Sequence, residues 1–312
     1  MSFAKLNQLG SKRIPFLFVS DFEGECVEVF LLDELYKSDI EFSISEPSSK
    51  QTHTHSFSTT AVSFESYKTK FDKVIEKIKS GETYVLNLTQ PTKIQTPLSL
   101  KEIYKNAEAH YKLRFANKFV CFSPESFITI GNNTINTYPM KGTIDASIVN
   151  AKEKILSDEK EMAEHVMIVD LLRNDLSIVA KDIRVKEFRS VKKISAGQKQ
   201  LLQVSSHIAA ELETNWHSNI GSILKALLPA GSISGAPKCS TVEIIKNVEG
   251  YERGYFSGVF GVYDGKSLDS GVMIRFVEQT QEGLVYKSGG GITLDSDAKM
   301  EYEELLQKVY LP

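Results

Sequence analysis

The sequence has few cysteines, no long apolar run and no block of basic residues, and each shortage narrows what the chain can be. Its three cysteines, Cys26, Cys121 and Cys239, are odd in number, far apart and free of Cys-x-x-Cys spacing. That argues against a disulfide framework or a cysteine-built zinc site and for reduced thiols in a cytoplasmic protein. The N-terminal MSFAKLNQLGSKR has no apolar stretch of signal-peptide length, and no later run approaches a membrane span. The formal net charge is only −3, which speaks against a nucleic-acid or membrane-surface partner. Internal repeats and long linkers are lacking too.

What remains is a chain of 312 residues with 41% hydrophobic and 25% charged content, enough for a sizeable core. Residues 14–32 (IPFLFVSDFEGECVEVFLL) predict two short strands joined around Asp21–Gly24. Residues 46–60 are polar and Ser/Thr-rich and read as a mobile loop. From Ser63, the residues Phe64, Tyr67, Phe71, Val74, Ile75 and Ile78 recur at helical steps, and the pattern ends near Gly81. YVLNLTQ (84–90) is strand-like and LKEIYKNAEAHY (100–111) helical. Strands are expected over 118–123, 126–130, 134–137 and 183–193, and helices over 159–173, 218–227, 240–248 and 297–309. Runs 255–263 and 268–277 flank Asp264–Gly265, a hairpin signal. Hairpins interrupted by helices predict an α+β fold with largely antiparallel sheet.

Several stretches could carry chemistry. GSISGAPK (231–238) is a poor phosphate loop, because Ala236 and Pro237 separate the glycine from Lys238. It is either a backbone nest for a carboxylate or a tight turn before a helix. SGGGITLDSD puts Gly289, Gly290 and Gly291 together, which suits close approach to a ligand or a flexible hairpin tip. Next, Glu301, Glu304 and Lys308 share one helical face. The run DEKEMAEHVMIVDLLRND from Asp158 repeats the spacing with Glu161 and Glu164, leaving Glu164 and His165 beside an apolar stretch. Two helices offering carboxylates suit Mg²⁺, although paired surface glutamates are common. A three-residue loop at 264–266 would put Tyr255 opposite Arg275, and a two-residue turn would put them on opposite faces. An Arg beside a phenol suits a carboxylate, or is an ordinary cross-strand pair.

EHVMIVDLLRNDL, PAGSISGAPK, GYFSGVFG and GGGITLDSDAKMEYEELLQK, in this order, resemble the chorismate-utilising enzymes, the group of anthranilate, aminodeoxychorismate, isochorismate and salicylate synthases. The likeness spans roughly residues 64–312. It implies one α+β domain over 1–312, with residues 1–60 a short β-rich segment before the core, and a central cleft for chorismate and Mg²⁺. By resemblance, Glu164 and Glu304 would hold the metal, with Glu161 and Glu301 close by. The ring carboxylate would meet Gly289–Gly291 and Lys308, and Tyr255 and Arg275 would grip the enolpyruvyl carboxylate. Ser232 and Gly235 would line the same cleft. One divalent cation, an Arg and a Lys suit a dianionic substrate.

Two positions separate the reactions of such enzymes. Water-adding members resemble this chain except for a lysine base in the strand matching YVLNLTQ, where Val85 stands, and valine cannot activate water. Val85 departs equally from the glutamine of the amine-transferring branch. At the second position, PMKGT resembles the PIKGT of aminodeoxychorismate synthases, whose lysine is a nucleophile, rather than the PIAGT of anthranilate synthases. SPESF likewise supplies Glu125 as the implied general acid/base. The implied reaction is attack of Lys141 on ring C2, departure of the C4 hydroxyl with the help of Glu125, and entry of ammonia at C4. A lysine free at neutral pH must be brought down from about 10.4 to about 7–8, by desolvation and a nearby cation. Gln203 stands where relatives show a histidine, so no histidine role is transferred. No Gly-x-Cys-x-Gly turn is present, so ammonia is expected from a glutamine amidotransferase partner. The short N-terminal part implies no tryptophan feedback site.

Overall fold

The computed structural model describes residues 2–45, 57–196 and 199–312. Most of the segment read as a mobile loop, residues 46–56, lies outside them. In chain order the helices are α1 (Phe3–Ser11), α2 (Phe64–Lys79), α3 (Leu100–Asn106), α4 (Ala151–Ser157), α5 (Glu159–Ser177), α6 (Ile220–Leu227), α7 (Lys238–Glu249) and α8 (Ala298–Gln307). The strands begin with β1 (Phe16–Ser20), β2 (Val27–Leu31), β3 (Ile40–Ile44), β4 (Ser58–Thr60), β5 (Val85–Gln95) and β6 (Tyr111–Phe115). They continue with β7 (Phe119–Ser123), β8 (Ser126–Gly131), β9 (Thr134–Thr137), β10 (Met140–Asp145), β11 (Lys181–Ala196) and β12 (Lys199–Glu211). Last come β13 (Gly235–Ala236), β14 (Val259–Tyr263), β15 (Leu268–Val272), β16 (Phe276–Thr280) and β17 (Gly283–Ile292).

These strands form two antiparallel sheets, so the fold is α+β as expected. The nine-stranded sheet runs β10-β12-β9-β8-β15-β14-β1-β2, with β11 on the free side of β12. The eight-stranded sheet runs β13-β5-β17-β16-β7-β6-β3, with β4 against β5. Leu17 and Val19 of β1 and Phe260 of β14 pack on Leu113, Phe115, Phe119 and Phe276 of the second sheet. The larger core joins the first sheet to α1, α2, α5, α6 and α7 around Leu6, Val74, Leu176, Leu224, Ile245 and Trp216. No helix of the described residues is long and apolar enough to cross a membrane.

Local chemistry explains the helix limits. Ser63 accepts a hydrogen bond from the Ser66 amide to cap α2, whose Tyr67, Phe71, Val74 and Ile78 form one buried stripe. Asp158 caps α5 at the Glu161 amide, and Asp297 caps α8 at the amides of Lys299 and Met300. Helix α3 stops earlier than its sequence suggests. A Ser99–Glu102 capping box starts it, but Ala107 is extended and Tyr111 already pairs with Ile44 and Ser123. The short α1 lacked an apolar repeat long enough to announce it, and its Asn7 bonds Gly221 and Ser222 of α6.

Two further expectations need correction. The β14–β15 hairpin has the register Tyr263↔Leu268, because Asp264 Oδ1 accepts from the amides of both Lys266 and Ser267. Neither register expected for Tyr255 and Arg275 is realised. Strand β14 begins only at Val259, and the chain leaves the first sheet after Val272 to enter the second as β16. The triple glycine is not a hairpin tip either: Gly289, Gly290 and Gly291 lie in β17, paired with Thr89, Leu88 and Asn87 of β5.

The crossing from β15 to β16 has a neighbour. Beside it, β7 of the second sheet continues into β8 of the first through Pro124–Glu125. The two crossings are stitched by Val272 N–H donating to Glu125 O at 3.0 Å and Phe122 N–H donating to Arg275 O at 3.2 Å. Glu125 and Arg275 therefore stand side by side where the sheets meet.

Candidate active site

Lys141 stands at a register break in β10, between Met140 paired with Ser205 and Thr143 paired with Gln203. Gly142 makes the break possible with φ +91°, and a Cβ there would sit 3.1 Å from Glu161 Oε2. The strand is held from behind, where the Ser206 amide donates to Pro139 O at 3.0 Å. The Ser206 hydroxyl in turn is hydrogen-bonded to the buried His165 ring at 2.7 Å, tying α5 to this edge.

Helix α5 faces the lysine with its acidic first turns. Lys141 Nζ lies 2.6 Å from Glu164 Oε2, with side chains 37% and 11% exposed, so the ammonium is reachable while its partner is nearly covered. Lys160 Nζ approaches the other Glu164 oxygen at 3.9 Å. Glu161 Oε2 is buried without a hydrogen-bond partner, and burial pushes the Glu161 carboxyl up. Opposite, Lys308 Nζ on the C-cap of α8 sits 2.7 Å from Glu304 Oε1 and donates to Gly289 O at 2.8 Å. Glu301 accepts from Ser296 Oγ at 2.8 Å, and burial raises its carboxyl as well. Burial would also raise Glu304, but Lys308 outweighs it and holds that carboxyl down.

Gly290 faces this acidic wall. A Cβ there would lie 3.4 Å from Glu301 Oε2, 3.7 Å from Lys308 Nζ and 3.9 Å from Glu304 Oε1, so the bare backbone leaves room for a ligand. Gly235 plays a different part. At φ +140° its missing Cβ lets β13 close on Val85 O, 1.9 Å from where that Cβ would be. The loop before it is built into the sheet rather than folded as a free anion nest. Arg253 supports it from beneath, donating to Ile233 O at 2.9 Å and Asn87 O at 2.6 Å, while paired with the buried Glu249.

At the sheet crossing, Ser232 Oγ donates a short hydrogen bond to Glu125 Oε1. Burial pushes the Glu125 carboxyl up, against Ser232, Lys308 and Arg275, which favour its charged form. Arg275 stacks its guanidinium on Tyr310, 5.0 Å from the ring centre, with φ +52° at the bend. Tyr255 does not join it. Its hydroxyl donates to Glu28 Oε1 at 2.5 Å and its ring packs between Phe115 and Phe119. Tyr255 and Arg275 thus each have a partner of their own and are not the cross-strand pair of a regular hairpin.

Lys141, Glu161, Glu164, Glu301, Glu304 and Lys308 are electrostatic neighbours, Gly290 faces the last three, and Glu125, hydrogen-bonded to Ser232, feels the charges of Lys308 and Arg275. At Lys141 burial pushes the ammonium down, but Glu164, helped by Glu161 and Glu304, outweighs this and leaves it raised. Among the described residues, no three His, Cys, Asp or Glu groups stand close enough to hold a metal ion by themselves. The all-oxygen carboxylate set and the unpartnered Glu161 oxygen nevertheless suit a hard cation that brings waters or a ligand anion. Sequence reading missed Lys160, Arg253 and the His165–Ser206 link. Lys160 stands one turn before Glu164, and Arg253 sits beside the aromatic GYF run, but neither position singles the residue out before the fold is known.

Residues 22–311 match the family described as chorismate binding enzyme. An "uncharacterized PabA-like protein" of Haemophilus influenzae is 47% identical over 98% of this chain and 94% of its own length. Aminodeoxychorismate synthase component 1 of Bacillus subtilis is 31% identical over 77% of this chain and 54% of its own length. Anthranilate synthase component 1 of Archaeoglobus fulgidus is 32% identical over 77% of this chain and 60% of its own length. Among solved structures, the menaquinone-specific isochorismate synthase of Escherichia coli superposes with a TM-score of 0.74 over 97% of this chain and 79% of its own, at 15% identity.

Proposed function

The chain belongs to the chorismate-binding enzymes, matched over residues 22–311, and from that membership we propose that it aminates chorismate to 4-amino-4-deoxychorismate through a covalent bond to Lys141. The observation that carries this reading is Lys141 itself, held by Glu164 at a register break in β10. Nζ forms a bond to ring C2 while Glu125 gives its proton to the C4 hydroxyl, which leaves as water as the ring double bonds shift. The excess proton on Nζ passes to the Glu125 carboxylate. Ammonia then bonds to C4, the C2–Nζ bond breaks, and one ammonia proton reaches the departing Lys141 amine by way of Glu125. Burial favours the protonated carboxyl that the first step requires. Arg275 and Lys308 supply positive charge for a dianionic substrate. Val85 stands 3.9 Å from the Cβ position of Gly291 and offers no base for activating water at that wall.

Glu164 and Glu304 would hold Mg²⁺, with Glu161 and Glu301 beside them. When bound, it would supply positive charge for the ring carboxylate and compete with Lys141 for Glu164, favouring the free amine. The names of the H. influenzae and B. subtilis relatives support a place beside a glutamine amidotransferase that delivers ammonia.

Similarity to the A. fulgidus enzyme favours a second reading, anthranilate formation. Incubation with chorismate, Mg²⁺ and ammonium chloride separates the two. The proposal expects an amino-deoxychorismate mass and, without ammonia, a chorismate adduct that Lys141→Ala abolishes. Fluorescent anthranilate appearing without an added lyase would sink it.

A further inference from the structure

Amination needs a place for its second, much smaller substrate. We propose that the cavity behind Glu125 is the waiting site for neutral ammonia, an inference that rests on the amination reading. The cavity measures about 20 Å³, room for one water-sized molecule. Glu125, Ser232, Tyr138, Leu172, Leu227 and Ala230 are among its walls. Lys141, Arg275, Lys308 and the glutamates of α5 and α8 are not, so its lining is far less charged than the wall formed by α5 and α8. Chorismate is far too large for it.

Its chemistry selects a neutral polar guest. Asp175, the other acidic residue of the lining, is already paired with Lys238 at 2.9 Å. One Glu125 oxygen is taken by the Ser232 hydroxyl. The Leu172, Leu176, Leu227 and Ala230 walls make burial of a charged ammonium costly, whereas ammonia can enter and still find the Glu125 carboxyl as a hydrogen-bond partner. The position fits the reaction as well. Nitrogen adds at C4, the carbon from which Glu125 releases the hydroxyl, so the attacking nitrogen has to stand beside that carboxyl. Its lone pair makes the N–C4 bond as C2–Nζ breaks, and one N–H proton returns through Glu125 to Lys141.

Steady-state kinetics of the purified chain with chorismate, Mg²⁺ and ammonium chloride test this. Ala230→Val fills the cavity and is expected to raise KM for ammonia about tenfold. KM for chorismate and the rate of adduct formation without ammonia should stay within about twofold of wild type. Leu172→Ala enlarges the cavity and is expected to admit methylamine, giving the N-methylated product by mass. The site is overturned by an Ala230→Val chain that melts and forms adduct like wild type yet keeps its KM for ammonia, or by both KM values rising together. If Ala230→Val does not fold, exclusion of methylamine by Leu172→Ala overturns it. A wild-type chain that never aminates chorismate removes the amination reading itself. Normal wild-type amination with an adverse variant result removes only the ammonia site.

Discussion

Gly290 and Ser232 show how single atoms shape this cleft. A methyl at Gly290 would meet only flexible side-chain ends, at 3.4 Å or more, so the fold should accept Gly290→Ala. The same methyl occupies space between the backbone and α8, and KM for chorismate should rise about tenfold with the melting temperature nearly unchanged. Ser232→Ala removes a hydrogen bond that favours the charged form of Glu125. The carboxyl should then move further up. An acid is active only while protonated, so the alkaline limb of kcat/KM for chorismate should shift to higher pH, as a pH–rate profile would read. At this scale spacing drew attention to the four glutamates of α5 and α8, whereas Lys141 and Glu125 were singled out only by resemblance, since a lone lysine or a Ser-Pro-Glu turn has no periodic mark. Tyr255 was not legible because it lies in the turn just after Gly254, ahead of β14, where apolar alternation does not set the direction of the side chain.

Periodic apolar spacing and caps fixed most elements. Helices α2, α5 and α8 begin just after Ser63, Asp158 and Asp297, because each side chain satisfies amides that the first turn leaves free. Asp158→Ala should cost about 1 kcal/mol in denaturant unfolding. It should also loosen the turn bearing Glu161, which a rise in the Mg²⁺ concentration needed for half-maximal activity would show. The end of α3 and the register of the β14–β15 hairpin were not legible. The first depends on Tyr111 finding β3 and β7, and the second on Asp264 bonding two amides at once. Both are set by partners distant in the chain or by side-chain bonds that apolar periodicity does not record.

For the molecule as a whole, the Glu249–Arg253 pair joins α7, β5 and the loop before β13. Its side chains are 0% and 2% exposed, and Glu249 also accepts from the Thr89 amide and hydroxyl. Glu249→Ala leaves a buried guanidinium without its counter-ion and should lower unfolding free energy by about 3–5 kcal/mol. Glu282→Ala breaks an ion pair whose side chains are 62% and 73% exposed and should cost no more than about 1 kcal/mol. Parallel denaturant titrations would compare them. The two paired crossings between the sheets have a different consequence. With Val272 bonded to Glu125 and Phe122 to Arg275, the acid and the arginine form a fixed ruler that cannot be lengthened one end at a time. Lys141 and Val85 stand elsewhere, on β10 and β5. On the proposed reaction, single substitutions at Lys141 or Val85 would change the chemistry offered while the spacing of Glu125 and Arg275 stays constant, a scaffold open to diversion from one reaction to another.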